Sequence, residues 1–302
     1  MPFHIPDGCE GFFDDVNRRF RLLITKGVIT GIDQIRLNNW LVNFRSPEDR
    51  YLAARLLSCL TYRSKAMVSS SFTHLVQGEL PKLLRRHAGM GLSDLDEFDG
   101  LLRERRNDAP IRFVAVDAFN DTPGKSGPQL IRQFRLHLGV SKSLLCRPER
   151  MGELPAEVKA IVFLDDLLGT GRQFHEFADH YTLAEHARER KLVYAPLMAC
   201  EKGLKHLADK CPWLIVHPIE SLGEDHRFFR ASSREASMWA HDDANKIEDV
   251  REHIRRLCKR NDIKDRDKYS LDLTVAFEHG VPNNSVSLLL RNSDSWQPLF
   301  DR

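Results

Sequence analysis

The sequence predicts an α/β fold in which a doubly wound parallel sheet forms the core. Four short apolar runs lie at 111–116, 161–164, 192–198 and 213–216, and helical patterns separate them. The 302 residues are 42% hydrophobic and 29% charged, which is typical of a globular protein. Fully apolar strands that alternate with helices indicate a parallel sheet covered on both faces.

The first hundred residues predict helices. Apolar side chains recur at three- and four-residue intervals over 37–44 and again over 53–60, as on one face of a helix. Ser46 can cap the second of these helices, and Pro47 suits its first position. A third helix is predicted for 80–87, before the glycines that follow it.

A polar and highly charged stretch at 92–110 predicts a surface helix and loop, and with it a domain boundary. We therefore expect a helical N-terminal region over 1–105 and an α/β domain over 106–302. Helices are expected between the strands of that domain, at 127–138, 171–189 and 201–210.

The last seventy residues predict a C-terminal extension of that domain. One or two helices are expected over 233–260, whose basic face is read as a solvated surface because acidic residues are interleaved. Alternating apolar residues predict a strand at 271–277. A turn at 282–284 and a further strand at 286–290 complete the predicted elements.

The net charge and the cysteine content indicate which classes of protein are expected. The net charge is only +2, so direct nucleic-acid binding is not predicted, and any involvement of nucleic acid would be indirect. Six scattered cysteines without C-x-x-C spacing suit free thiols in a reducing compartment. No secretory signal and no apolar run of about 18 residues is visible, so we expect a cytoplasmic protein without membrane contact.

The segment with the strongest chemical signal follows the second predicted strand, at the edge where open α/β sheets bind ligands. Its glycines allow a tight turn, and the helix after them offers free N–H groups and a positive dipole end to a phosphate. The candidate catalytic residues are Asp165 and Asp166, and the candidate phosphate-binding residues are Leu168, Gly169, Thr170, Gly171, Arg172 and Gln173.

The two acids are expected to face neutral hydroxyls, such as those of a ribose, because carboxylates facing a phosphate would repel it. A Mg²⁺ ion carried by the phosphates of the substrate would complete the charge balance. Metal held by the protein alone is not expected. His175, His180 and His186 do not share one helix face.

The run Leu164-Asp165-Asp166-x-x-x-Thr170-Gly171 resembles the ribose-5-phosphate loop of type I phosphoribosyltransferases. The resemblance implies that the acid pair contacts ribose hydroxyls and that 169–173 cradles the 5-phosphate. It departs from the usual pattern at Gln173, where a Thr or Ser is typical. An amide can still donate a hydrogen bond to a phosphate.

Further segments resemble the phosphoribosyltransferase-like conflict effectors of prokaryotic immune systems. The segments that carry this resemblance are 40–44, 51–57, 126–127, 169–173, 281–285 and 296–300. The family implies action on phosphoribosyl diphosphate or nucleotides, as the toxic component of an anti-phage system such as a retron, with protein partners from the same operon. A non-catalytic subunit that binds the same ligands, and a scaffold that docks a partner, are the alternatives.

Two weaker candidates complete the predicted site. Lys125, Ser126 and Gly127 precede a helix, and the resemblance implies that they bind pyrophosphate. A flexible surface loop is the alternative. Asn283 and Asn284 are a possible part of the site, or else only a turn in which the amide side chains bond the backbone.

Overall fold

The computed structural model describes residues 3–91, 94–105, 108–117, 126–230, 238–239, 242–265 and 270–300. The chain forms two compact units. We call Met1–Lys65 together with Gly223–Arg302 the terminal unit, and Ala66–Leu222 the central unit.

The boundary expected near residue 105 lies inside the central unit. Helical residues before it pack against helices after it, as Phe72 does against Phe134, with ring centroids 5.2 Å apart. The chain instead leaves its N-terminal helices near residue 65 and returns to their unit at residue 223. The described elements follow in chain order.

The helices are α1 (Phe12–Thr25), α2 (Gln34–Leu41), α3 (Pro47–Ser58), α4 (Lys65–His74), α5 (Leu80–Ala88), α6 (Leu95–Arg103), α7 (Ser126–Leu138), α8 (Arg172–His180), α9 (Leu183–His186), α10 (Glu201–Lys210), α11 (Ile247–Arg260) and α12 (Ser287–Leu290). The strands are β1 (Thr61–Arg63), β2 (Ile111–Ala115), β3 (Ala160–Leu168), β4 (Lys191–Cys200), β5 (Leu214–Val216), β6 (Glu220–Leu222) and β7 (Val275–Phe277). A π-helical turn, Leu75–Glu79, joins α4 to α5. No helix among the described residues combines the length and apolarity needed to cross a bilayer.

The sheet of the central unit is parallel, in the order β2-β3-β4-β5, and β6 pairs with β4 further along. Helices cover both faces. On one face, Phe163 packs against Phe174 of α8, with centroids 5.7 Å apart. On the other, Phe113 packs against Phe134 of α7 at 4.8 Å. The doubly wound fold expected from the apolar runs is confirmed.

One helix that the pattern predicted as continuous, at 171–189, is divided. The helix α8 ends at His180, and α9 begins only after Thr182. Thr182 has a left-handed backbone, with φ of 47°, which a helix interior does not accommodate. The chain therefore turns at this point before it enters β4.

The core of the terminal unit joins segments from both ends of the chain. The Trp40 ring contacts Phe44, which in turn contacts Trp296, with centroids 4.7 and 5.1 Å apart. The backbone N–H of Gln297 donates to Asn43 Oδ1, and the Asn43 amide donates back to the Gln297 carbonyl. Two of the segments that carry the family resemblance are thus one packed cluster.

The C-terminal strands differ from expectation. In the predicted strand 271–277 only Val275–Phe277 pairs as a strand, with β1, because Asp272 adopts φ of 60° and interrupts the extended run. The predicted strand at 286–290 is wrong, since Ser287–Leu290 is the short helix α12. All four of its residues are buried, and a short run buried on all sides has the same apolar pattern as a strand.

Candidate functional site

Both acids of the predicted turn belong to strand β3, which continues to Leu168 instead of ending at Leu164. The strand extends because β4 is equally long. Asp165 pairs with Pro196, and Leu167 pairs with Met198. The two carboxylates lie beside each other, since, in addition to burial, the charge of Asp166 and a hydrogen bond between the two side chains both raise the pKa of Asp165.

Asp165 is held inside the protein. Its side chain is only 4% exposed and lies on the face that α8 covers. The Tyr194 hydroxyl donates to Asp165 Oδ2 at 2.7 Å, and the Asp166 N–H donates to Asp165 Oδ1 at 2.9 Å. Burial and then the nearby Asp166 charge raise the pKa of Asp165 well above its usual value, although both hydrogen bonds oppose this.

Asp166 is partly exposed, whereas Asp165 is buried. Of the two acids, Asp166 is therefore the more accessible to solvent. The structure thus separates two residues that the sequence pattern treated as equivalent. Asp165 is bonded within the protein by Tyr194 and the Asp166 N–H, and Asp166 is the acid that is partly open to solvent.

The turn after the strand has the geometry of an anion site. Gly171 is the N-cap of α8, with φ of 80° and no side-chain cap, so no side chain occupies the start of the helix. Thr170 is buried, and its Oγ1 accepts a hydrogen bond from the Arg172 N–H at 3.5 Å. The first N–H groups of a helix have no partner within it and favour a bound phosphate.

Helix α10 packs closely against this turn. A Cβ added to Gly203 would lie 2.5 Å from the Gly169 carbonyl oxygen. A Cβ added to Gly171 would lie 2.9 Å from Cδ2 of His206. His206 Nε2 is in turn 3.3 Å from Nδ1 of His175 on α8. The position of the turn therefore depends on two glycine contacts that leave no space for a side chain.

The remaining predicted residues of the turn divide into two groups. Leu168 is 2% exposed and packs in the apolar core, so only its backbone is available to a ligand. Arg172 and Gln173 are exposed on the first turn of α8. Their side chains can reach a phosphate at the helix start without losing a packing contact.

The predicted pyrophosphate loop is described only in part. Lys125 and the Ser126 side chain lie outside the described residues. Gly127 is buried near the start of α7, where an added Cβ would lie 2.7 Å from the Val116 carbonyl oxygen. Glycine is thus required here by the close approach of α7 to the end of β2.

Asn283 and Asn284 belong to the terminal unit. The Asn284 carbonyl accepts hydrogen bonds from the N–H groups of Leu271 and Leu273, which gives this residue a role in the turn. Asn283 differs, because its Oδ1 is buried and has no hydrogen-bond partner among the described residues. A buried amide oxygen normally has a hydrogen-bond partner, so Asn283 remains a candidate ligand-binding residue.

A metal site made by side chains alone is absent from the described residues, since no three potential ligands cluster there. The partly exposed Asp166 is a single carboxylate at the sheet edge. That donor set fits Mg²⁺, which keeps several waters and is bound through one or two carboxylates and substrate phosphates. Asp166 is the residue that could contact such an ion.

Sequence reasoning missed the residues that hold the turn. Gly203 carried a signal, because a glycine inside a predicted helix costs about 1 kcal/mol relative to alanine and therefore needs a reason. Tyr194 and His206 carried none. Each contacts the loop from a different strand or helix, and only the folded chain brings them together.

A parallel sheet with an acid pair and a glycine turn at the carboxyl end of one strand defines the phosphoribosyltransferase-like class of α/β proteins. The chain belongs to the PRTase-CE family, whose profile matches residues 37–302. The match spans parts of both compact units. No curated protein matches the chain significantly.

Proposed function

We propose that this protein binds phosphoribosyl diphosphate or a nucleotide at the β3–α8 turn and transfers or releases the ribosyl group. The observation that carries the proposal is the partly exposed Asp166 beside the uncapped start of α8. The Asp166 carboxylate suits ribose hydroxyls, and the N–H groups at the start of α8 suit a 5-phosphate.

The chemistry follows from the two ends of the ligand. In the transferase direction, a base nitrogen forms a bond to C1 of the ribose while the C1–O bond to diphosphate breaks, and the electron pair leaves with the diphosphate. In the reverse direction, a diphosphate oxygen forms the bond to C1 while the C1–N bond breaks and its electron pair leaves with the base, which degrades a nucleotide. The turn would hold the 5-phosphate and Asp166 the hydroxyls, so that the reacting carbon is fixed in place. Mg²⁺ supplies charge neutralisation to the diphosphate when it is bound.

Binding is tested by titration calorimetry with phosphoribosyl diphosphate and Mg²⁺. The wild-type protein is expected to bind, and the double variant Asp165→Asn/Asp166→Asn is expected to bind at least tenfold more weakly. Glu176→Gln is the matched control, because this exposed acid lies on α8 away from the turn. Equal affinity of the double variant and the wild type would contradict the proposed site.

Turnover separates an enzyme from a binding subunit. We expect release of pyrophosphate when the protein is mixed with phosphoribosyl diphosphate, Mg²⁺ and candidate bases, or release of free base when it is mixed with nucleotides, pyrophosphate and Mg²⁺. Binding without any release would favour the non-catalytic alternative. The family to which the chain belongs supports the enzyme without naming its substrate.

The biological role that we propose is that of the toxic effector of an anti-phage system, which acts in the cytoplasm with partners encoded beside it. The support is membership of a phosphoribosyltransferase-like conflict-effector family. Phage plating on cells that carry the whole operon is the test. The double variant is expected to lose protection, whereas Glu176→Gln retains it. Protection that survives the double variant would overturn the role.

A further inference from the structure

A second polar group lies on the central sheet, two strands away from the acid pair. His217 directly follows β5, and its backbone N–H donates to the Tyr194 carbonyl. Its imidazole Nε2 lies 3.6 Å from Oε2 of Glu79. Both side chains are about one-third exposed, at 31% and 32%, so they form a partly enclosed polar spot that solvent can enter.

Glu79 is the last residue of the π-helical turn between α4 and α5. Such turns are rare and frequently mark functional positions, because they displace one residue from the regular helix face. The Lys82 ammonium donates to Glu79 Oε1 at 3.0 Å. That hydrogen bond and the Lys82 charge lower the pKa of Glu79, with smaller contributions from the charges of His217 and His74.

The imidazole of His217 has unused hydrogen-bonding capacity. A separation of 3.6 Å from Glu79 is too long for a hydrogen bond. Among the described residues, neither ring nitrogen of His217 has another hydrogen-bond partner. The Glu79 carboxylate orients this partly enclosed imidazole without a hydrogen bond to it. The imidazole can therefore donate a hydrogen bond to a ligand.

The sheet register relates the position of His217 to that of Asp166. Leu164 pairs with Ala195, and Tyr194 pairs with Val216, so His217 lies level with Leu164. Asp166 comes two residues after Leu164, which is about 7 Å further along β3. One strand, β4, separates β3 from β5, which adds about 10 Å across the sheet and puts the two positions roughly 12 Å apart. That span suits the distance from a ribose to the far edge of its base.

We infer that His217 and Glu79 form the nucleobase subsite of the ligand, with His217 donating a hydrogen bond to a ring nitrogen or carbonyl of the base. The inference rests on the proposed function, since it takes the ribose to lie at Asp166. Glu79 acts as the positioning residue, because it orients the imidazole and is itself held by Lys82.

Comparing ligands with and without a base tests this subsite. Calorimetry of the full chain measures binding of the four nucleoside monophosphates and of ribose 5-phosphate. His217→Ala and Glu79→Gln are expected to weaken binding of the preferred nucleotide about tenfold. Affinity for ribose 5-phosphate should change less than twofold. His186→Ala, on α9, is the matched control and should leave both affinities unchanged.

The outcomes separate the subsite from the site on which it depends. A wild-type protein that binds neither ribose 5-phosphate nor any nucleotide overturns the proposed function itself. Equal loss of both ligands in the His217 variant, or no loss of either, overturns the subsite alone. Should His217→Ala fail to fold, the wild-type imidazole signals of His217 in NMR spectra are expected to shift with nucleotide and not with ribose 5-phosphate. Equal shifts with both ligands would also overturn the subsite.

Discussion

Burial of the Asp165 carboxylate lowers the free energy of unfolding when this group is ionised. The folded protein raises the pKa of this carboxyl, mainly through burial, above the value of 3.8 in an unfolded chain. Between those two pKa values the folded state binds more protons than the unfolded state. The free energy of unfolding therefore decreases as pH rises through that window and levels off above the folded pKa.

Replacement of this carboxyl by an amide should reverse that cost. Asp165→Asn is expected to be more stable than the wild-type protein at pH 8, because the amide of the same shape is neutral. The difference should shrink as pH falls and should disappear only below pH 3.8, where the wild-type carboxyl is protonated in both states. Urea unfolding of both proteins across this pH range measures it. A stability difference that does not change with pH would contradict the assignment.

The Tyr194 hydroxyl makes a hydrogen bond that no water can replace, since Tyr194 is 1% exposed. Tyr194→Phe is expected to lower the free energy of unfolding by about 1–3 kcal/mol, because a buried acceptor loses its donor. Tyr181→Phe is the control. Its hydroxyl bonds the exposed Glu149 at 3.2 Å, and water can take its place. Similar losses in the two variants, measured by urea unfolding, would mean that burial of this hydrogen bond has no effect.

At the scale of elements, the contact between α10 and the turn can be tested with two helical glycines of the central unit. Gly203→Ala should displace the turn, because its new Cβ would lie 2.5 Å from a backbone oxygen. We expect at least tenfold weaker binding of ribose 5-phosphate. Gly100→Ala, in α6, meets no atom within 4 Å and should stabilise the protein by about 0.5–1 kcal/mol. Unchanged ligand affinity in Gly203→Ala would show that α10 does not position the turn.

A buried carboxylate joins α3 to α11 in the terminal unit. Asp49 is 1% exposed and completes the capping box of α3 with Ser46. His253 Nε2 lies 2.9 Å from its Oδ1, and the Arg260 guanidinium donates to its Oδ2 at 2.7 Å. Burial raises the pKa of Asp49, but the bonds to His253 and Arg260 outweigh it and hold the pKa well below 3.8.

Loss of this carboxylate should therefore destabilise the terminal unit in a pH-dependent way. Asp49→Ala is expected to cost about 2 kcal/mol, less than a fully buried pair because half of Arg260 is exposed. The cost should be complete above pH 3.8 and should fall as pH drops below it, because the carboxyl of the unfolded wild-type chain then takes up a proton while the folded one is still charged. Glu48→Ala, in the same helical turn, is the control. Equal effects of the two substitutions would contradict a special role for Asp49.

How far sequence predicts structure differs among these elements. Strand β3 and the start of α8 were predictable, because an apolar run followed by Gly169-Thr170-Gly171 specifies a strand, a turn and a helix locally. The extension of β3 to Leu168 was not, since it depends on pairing with β4. The helix α12 was misassigned because four consecutive buried residues have no period that separates a helix from a strand.

At the scale of the molecule, the two compact units should respond separately to substitution. Asp49→Ala is expected to speed amide hydrogen exchange in α3 and α11, and Tyr194→Phe to speed it in β3 and β4. Mass spectrometry of exchanged peptides from the full chain measures both. Equal increases in both units from either substitution would show that the chain opens as one cooperative body.

The units themselves could not be predicted from local pattern. The charged stretch at 92–110 has the composition of a linker, and yet both sides of it belong to the central unit. The terminal unit depends on contacts such as that of Phe44 with Trp296, which local pattern does not reveal. Similarity to a family marked those two segments as important without indicating that they touch.

The pairing of β1 with β7 has a consequence for the synthesis of the protein. Thr61 pairs with Val275, more than two hundred residues later, whereas the central unit is a single continuous segment. At about 5–20 residues per second, a ribosome needs roughly 10–40 seconds to make the chain between those partners. The central unit, which contains the turn between β3 and α8, can thus fold before β7 has been synthesised. During that interval β1 has no partner strand, and chaperones have most reason to act on the first 65 residues.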